Sequence, residues 1–194
     1  MQEPLPLATI QEAVLEFLRG RDDAVIFGAQ AVNAYVPEPR MTQDIDLVSL
    51  RAKDLAGELR DYLHERFQIA ARVHEVGGGR GFRVYQVRKT GNRHLVDIQS
   101  VDVLPATRRM AQILVIAPAD LIAYKVLAYA QRRGSPKSGT DWRDIAMLLL
   151  AFPELKQDSG LVMKKLRELH AAPDVTAVWR EFVVQEIKPV EDDF

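Results

Sequence analysis

Apolar residues recur along this chain with two periods, and their alternation lays out a mixed α/β order. Ile10, Val14, Leu15 and Leu18 fall at helical spacing within residues 9–19, with Thr9 as an N-cap and Gly20 beyond the end. Ala24-Val25-Ile26-Phe27 is a short apolar run stopped by Gly28, the pattern of a buried strand. The small residues of 28–35 predict a turn entering a helix, which Pro37 and Pro39 close. Residues 44–48 alternate acid with Ile45, Leu47 and Val48 as a second strand. Leu55, Leu59 and Leu63 set a helix over residues 52–67. Strands follow over 68–76, 82–87 and 94–101, separated by Gly77-Gly78-Gly79 and by Thr90-Gly91-Asn92. Together these predict a mixed sheet flanked by helices, ending near residue 105.

Beyond Pro105 the texture becomes helical. Pro118-Ala119-Asp120 opens a helix that runs through Ala130, and residues 132–139 form a basic, glycine-bearing loop. Thr140 caps a helix over 141–150, and 161–169 and 175–186 carry helical periodicity. The expected organisation is a core over residues 1–105 and a helical region, 106–194, packed on it. There is no internal repeat.

Composition narrows the class. A hydrophobic fraction of 47% over 194 residues is enough for a buried core, and the absence of cysteine excludes disulfide scaffolds, zinc ribbons and thiol nucleophiles. Residues 1–11 lack the basic start and apolar stretch of a signal peptide, and no apolar run approaches the roughly 20 residues of a membrane span, so a cytoplasmic location is expected. A net charge of −1 makes no argument about nucleic acid, so local charge must decide.

The chemistry concentrates in residues 28–46. On a strand, Asp44 and Asp46 project to one side while Ile45 faces the core. Neighbouring carboxylates repel unless a cation lies between them, and Mg²⁺ takes oxygen ligands together with substrate phosphates. Leu95, Asp97 and Gln99 share one face of a later strand, so Asp97 becomes a third acid if the two strands are neighbours. An isolated Asp-x-Asp is more often an exposed strand face. Strand, glycine turn, helix, Arg40-x-Thr42-x-Asp44-x-Asp46 and a later single acid, in that order, is specific.

That order resembles the nucleotidyltransferase superfamily. Phe27-Gly28-Ala29-Gln30-Ala31-Val32 and Arg40-Met41-Thr42-Gln43-Asp44-Ile45-Asp46-Leu47 are most similar to the AbiEii/MenT-type toxins. Leu121-Ile122-Ala123-Tyr124-Lys125 and Thr140-Asp141-Trp142-Arg143-Asp144-Ile145 resemble that family's lysine-bearing and Arg/Asp-rich helices. The resemblance spans about residues 24–150. It implies an α/β (α+β) nucleotidyltransferase fold and transfer of a nucleoside monophosphate from an NTP, with Mg²⁺ or Mn²⁺. It implies Asp44, Asp46 and Asp97 as metal ligands and catalytic acids, the third acting as base. It also implies a nucleotide site including Gly28, Ala29, Gln30, Arg40, Thr42, Lys125 and Asp141. Ala29 departs from the usual Ser or Gly of the turn and offers no hydroxyl to a phosphate, although backbone N–H groups remain.

Bland readings stand beside these. Lys125 could be a snorkelling lysine on a packed helix, and Asp141 and Asp144 could complement a helix dipole. Arg132, Arg133 and Lys137 make a basic loop most simply taken as solvated. Arg80, Arg83, Arg88, Lys89 and Arg93 place a second basic cluster on one hairpin beside Asp97, a surface suited to a tRNA end. The four histidines show no ligand spacing and receive no role. The leading expectation is the toxin of a toxin–antitoxin pair that modifies RNA, such as tRNA, or protein, with an antitoxin protein as partner and no membrane. Alternatives are a small-molecule (antibiotic-type) nucleotidyltransferase and a catalytically silent binding domain.

Overall fold

The computed structural model describes residues 5–189, so the expectation for residues 1–11 falls partly outside it. The chain divides into two compact units, Met1–Ala31 with Arg40–Ile116 and Val32–Pro39 with Ala117–Phe194.

The first unit is built on a seven-stranded mixed sheet. Its elements are α1 (Leu7–Leu18), β1 (Ala24–Phe27), the start of α2 (Gly28–Tyr35), β2 (Ile45–Ser49), α3 (Ala52–Phe67), β3 (Ala71–Val76), β4 (Gly81–Gln86), β5 (Arg93–Ser100), β6 (Thr107–Met110) and β7 (Ile113–Ile116). The strand order is β3-β4-β5-β2-β1-β7-β6. The pairs β2–β5 and β1–β7 are parallel and the others antiparallel. β1 (AVIF) and β7 (ILVI) are continuous apolar runs, whereas β2 alternates: Ile45 and Leu47 are fully buried on one face and Asp46 is half-buried on the other. α3 buries Leu55, Ala56, Leu59 and Leu63 along one stripe and packs on β3, β4 and β5. Phe17 of α1 meets Tyr62 of α3 with ring centroids 5.2 Å apart.

Three local expectations are corrected. α1 begins at Leu7 with Pro6 at the N-cap, so Thr9 lies inside the first turn. Residues 68–70 are not strand, because Gln68 turns into the left-handed region (φ 53°) and stops α3. The sheet does not end near residue 105, since β6 and β7 add a hairpin beside β1.

The second unit is helical: the rest of α2, α4 (Pro118–Arg132), α5 (Pro136–Ala151), α6 (Leu161–Glu168) and α7 (Pro173–Val184). α4 is its centre and packs on α5, α6 and α7. Leu121, Ile122, Val126, Leu148, Val162 and Leu166 are fully buried there. Trp179 is also fully buried and donates Nε1–H to Gln157 O at 3.2 Å, which satisfies its one polar group. Pro118, Pro136 and Pro173 stand at the helix starts, where the missing N–H costs nothing. α5 starts at Pro136 rather than at Asp141, so the expected loop over 132–139 shrinks to a short break and Thr140 lies inside the helix. Among the described residues no helix is long and apolar enough to cross a membrane.

Candidate active site

Asp44 immediately precedes β2 and Asp46 lies within it, flanking the fully buried Ile45. β2 pairs in parallel with β5, and Asp46 stands directly opposite Asp97. Paired residues of adjacent strands project to the same side of a sheet. The three acids therefore share one face, as the period of two requires.

His94 joins them because of a bulge. Val84 of β4 pairs with Val96, and Tyr85 with His94, so Leu95 is an extra residue on β5. In a regular strand His94 and Asp97, three apart, point to opposite faces. One inserted residue resets the alternation and puts both on the same face. His94 Nδ1 lies 3.2 Å from Asp44 Oδ2, and its Nε2 lies 3.2 Å from Asp97 Oδ1. Nε2 is nonetheless buried without a hydrogen bond, since its approach to Asp97 is badly directed. Ligand atoms of Asp44, His94 and Asp97 all lie within 4.8 Å of one another. His94, given no role on sequence grounds, is thus central to the cluster. The side chains are 33%, 34% and 24% exposed, which leaves the cluster open to solvent and ligand. Arg83, opposite Asp97 on β4, donates Nε–H to Asp97 Oδ1 at 2.9 Å and leaves Oδ2 uncommitted by that bond.

Gly28, the first residue of α2, lies against Asp46. Its φ is +66°, and a Cβ there would overlap Asp46 Oδ2 and fall 2.8 Å from Asp46 Cγ. Only glycine combines that backbone with so close a carboxylate. Ala29 and Gln30 follow, half-buried, on the first turn of α2. In the segment leading to β2, Gln11 Nε2 of α1 donates to Thr42 O at 3.1 Å and reaches Thr42 Oγ1 at 3.4 Å. Arg40 Nη1 donates to Met41 O at 3.4 Å.

Lys125 and Asp141 belong to the second unit. Lys125 Nζ of α4 donates to Asp144 Oδ2 at 2.7 Å and lies 3.8 Å from Asp141 Oδ1. Arg132 Nη1 donates to Asp141 Oδ2 at 3.0 Å. Asp141 is 3% exposed and Asp144 is fully buried, so neither complements a helix end; both are mid-helix acids that neutralise buried or half-buried cations. Lys125, 9% exposed, does not snorkel.

Several solved structures share the fold, three of them as follows. The Megavirus polyadenylate synthase matches with a TM-score of 0.60 at 15% identity, over 76% of this chain and 32% of its own, so the chain spans about a third of that protein. JHP933 from Helicobacter pylori matches at 0.53 and 13% identity, over 91% of this chain and 87% of its own. ANT(2")-Ia, in complex with adenylyl-2"-tobramycin, matches at 0.53 and 14% identity, over 85% of this chain and 97% of its own. No curated protein sequence matches the chain. Residues 13–186 match the family model described as "Nucleotidyl transferase AbiEii toxin, Type IV TA system", and the chain belongs to that nucleotidyltransferase family.

Proposed function

We propose that this protein transfers a nucleoside monophosphate from an NTP to a hydroxyl of RNA, a tRNA end foremost, or of a protein, as the toxin of a toxin–antitoxin pair in the cytoplasm. The observation carrying this reading is Asp46 opposite Asp97, with Asp44 and His94 gathered on the same face. Clustered acid oxygens suit Mg²⁺ or Mn²⁺. Asp44, Asp46 and Asp97 would hold the metal, which when bound neutralises triphosphate charge and polarises the reacting phosphoryl group.

The chain's own residues do the rest. Asp97, oriented by Arg83, accepts the proton of the acceptor hydroxyl through its second oxygen. The freed oxygen attacks the α-phosphorus, the bond to the β-phosphate breaks, and pyrophosphate leaves. Backbone N–H groups of Gly28, Ala29 and Gln30 at the start of α2 receive the triphosphate, so the missing serine hydroxyl at Ala29 removes one contact and keeps the anion site. Arg40 and Thr42 complete the approach to the acids. Lys125 and Asp141 are assigned to the nucleotide on family resemblance.

The test is incubation of the purified chain with each labelled NTP, Mg²⁺ or Mn²⁺, and total tRNA or cell protein. Label appearing on RNA or protein is the expected result. Label moving only to small aminoglycoside-type acceptors would replace the macromolecular reading, and NTP binding with no transfer would leave a silent binding domain. Co-expression with the neighbouring reading frame, with growth as readout, tests the antitoxin partner.

A further inference from the structure

The five cations that sequence places on one hairpin do not share a face. Arg93 pairs across the sheet with the buried Gln86, and its Nη1 donates to Leu5 O at 2.8 Å. Of the five, Arg83 projects beside Asp97. The face it occupies holds two ladder rows that run towards the acids. One is Arg72–Tyr85–His94, and the other is His74–Arg83–Asp97–Asp46. α3 covers the opposite face of β3 and β4, where Val73 and Phe82 lie near Gly57 and Glu58. On the open face Arg72, His74 and Arg83 are exposed and Tyr85 is half-buried. Arg72 and His74 make no side-chain hydrogen bond or ion pair among the described residues.

We propose that this open face of β3 and β4 is the acceptor track, and that a single-stranded RNA end lies across it with one base on Tyr85 and phosphates on Arg72 and Arg83. The proposal rests on the nucleotidyltransferase reading above and names its acceptor surface. Strands stand about 4.8 Å apart, so Arg72 lies about 10 Å from His94 in the row that ends at the acids. A chain held by Arg72 and Tyr85 thereby delivers its terminal hydroxyl to Asp97. An aromatic between cations on an open sheet matches alternating base and phosphate, and base stacking tolerates any sequence. The open, cation-lined face suits an extended anionic polymer, and it attracts RNA locally although the net charge is −1.

The experiment measures binding of a short 5′-labelled single-stranded oligoribonucleotide to the full chain by anisotropy across a salt series. Arg72→Glu should weaken binding about tenfold or more and flatten the salt dependence, as loss of a phosphate contact does. Tyr85→Ala should weaken it by about tenfold through lost stacking, while Tyr85→Phe keeps the affinity. Lys53→Glu, the same charge reversal on α3 behind the sheet, should leave it unchanged. NTP binding, followed by thermal shift, should be unaltered in all four variants. Wild-type affinity in Arg72→Glu and Tyr85→Ala, or equal weakening by Lys53→Glu, overturns the track. RNA binding that follows these variants without any label transfer overturns the catalytic reading and upholds the track. Transfer to protein with no RNA affinity overturns the track and leaves catalysis standing.

Discussion

At the scale of single residues, two of the neighbours of Asp46 pull its energetics in opposite directions. Asp97 across the strand pair repels it, and the start of α2 at Gly28 attracts it. Each effect is on the order of 1 kcal/mol, and the two oppose one another. Asp46→Asn should therefore lose transfer while melting within about 4 °C of wild type without metal. It should also gain less Tm from added Mg²⁺ and NTP, because stabilisation by a ligand follows its affinity. Transfer at the wild-type rate would remove Asp46 from the site, and a much larger melting loss would make it structural. Gly28→Ala tests the same contact from the other side. A methyl group there meets the Asp46 carboxylate on a backbone at φ +66°, so stability should fall by more than about 1 kcal/mol and transfer should fall with it. A fully active, equally stable Gly28→Ala protein would show that the close approach does not matter.

At the scale of elements, what was legible in the sequence followed from periodicity. Alternation along residues 44–48 and 94–101 placed Asp44, Asp46 and Asp97 on one side, and β2 and β5 are indeed neighbours. The bulge was illegible because it is a count between two strands, two residues on β5 against one on β4, and no local pattern announces it. His94 was lost with it. The β6–β7 hairpin was missed for another reason: its turn uses Ala111 (φ 45°) and Gln112 (φ 68°), which carry no glycine or asparagine signal, and Thr107–Met110 is polar. For α5 the signal existed, Ser135-Pro136 at the N-cap and first turn, but the surrounding cations and glycine suggested a loop. That misplacement hid the ion pair joining α4 to α5. Replacing Lys125 with Met removes the ammonium that lies 2.7 Å from the fully buried Asp144 and should destabilise by about 3–5 kcal/mol. Adding Asp144→Asn should recover part of that loss, a non-additivity read directly from urea midpoints. Additive losses would mean that the two side chains do not depend on each other.

At the scale of the whole molecule, 26 basic and 27 acidic residues nearly balance, so stability against pH depends on particular pairs rather than on net repulsion. One such arrangement ties the segment before β1 to α3. Asp23 accepts from Arg21 Nε at 2.9 Å and Nη2 at 2.8 Å, Arg51 Nε lies 3.5 Å from it, and Glu58 of α3 pairs with both arginines. Hydrogen bonding from Arg21 outweighs partial burial and holds the Asp23 carboxyl below its usual 3.8. A carboxyl depressed in the folded state contributes stability above its unfolded pKa and loses it as pH falls through the folded one. Asp23→Asn should thus cost about 0.5–1 kcal/mol at pH 7, or about 1–4 °C. The gap to wild type should shrink below pH 4 and close once wild-type Asp23 is itself protonated. Asp61, held down by Arg60 on the open surface of α3, supplies the contrast, since an exposed pair is screened by salt. Melting series from pH 7 to pH 2, at low and at 1 M salt, would separate the two. A gap for Asp23→Asn that stays constant to pH 2 would mean that the arginine network acts through packing and not through the Asp23 charge.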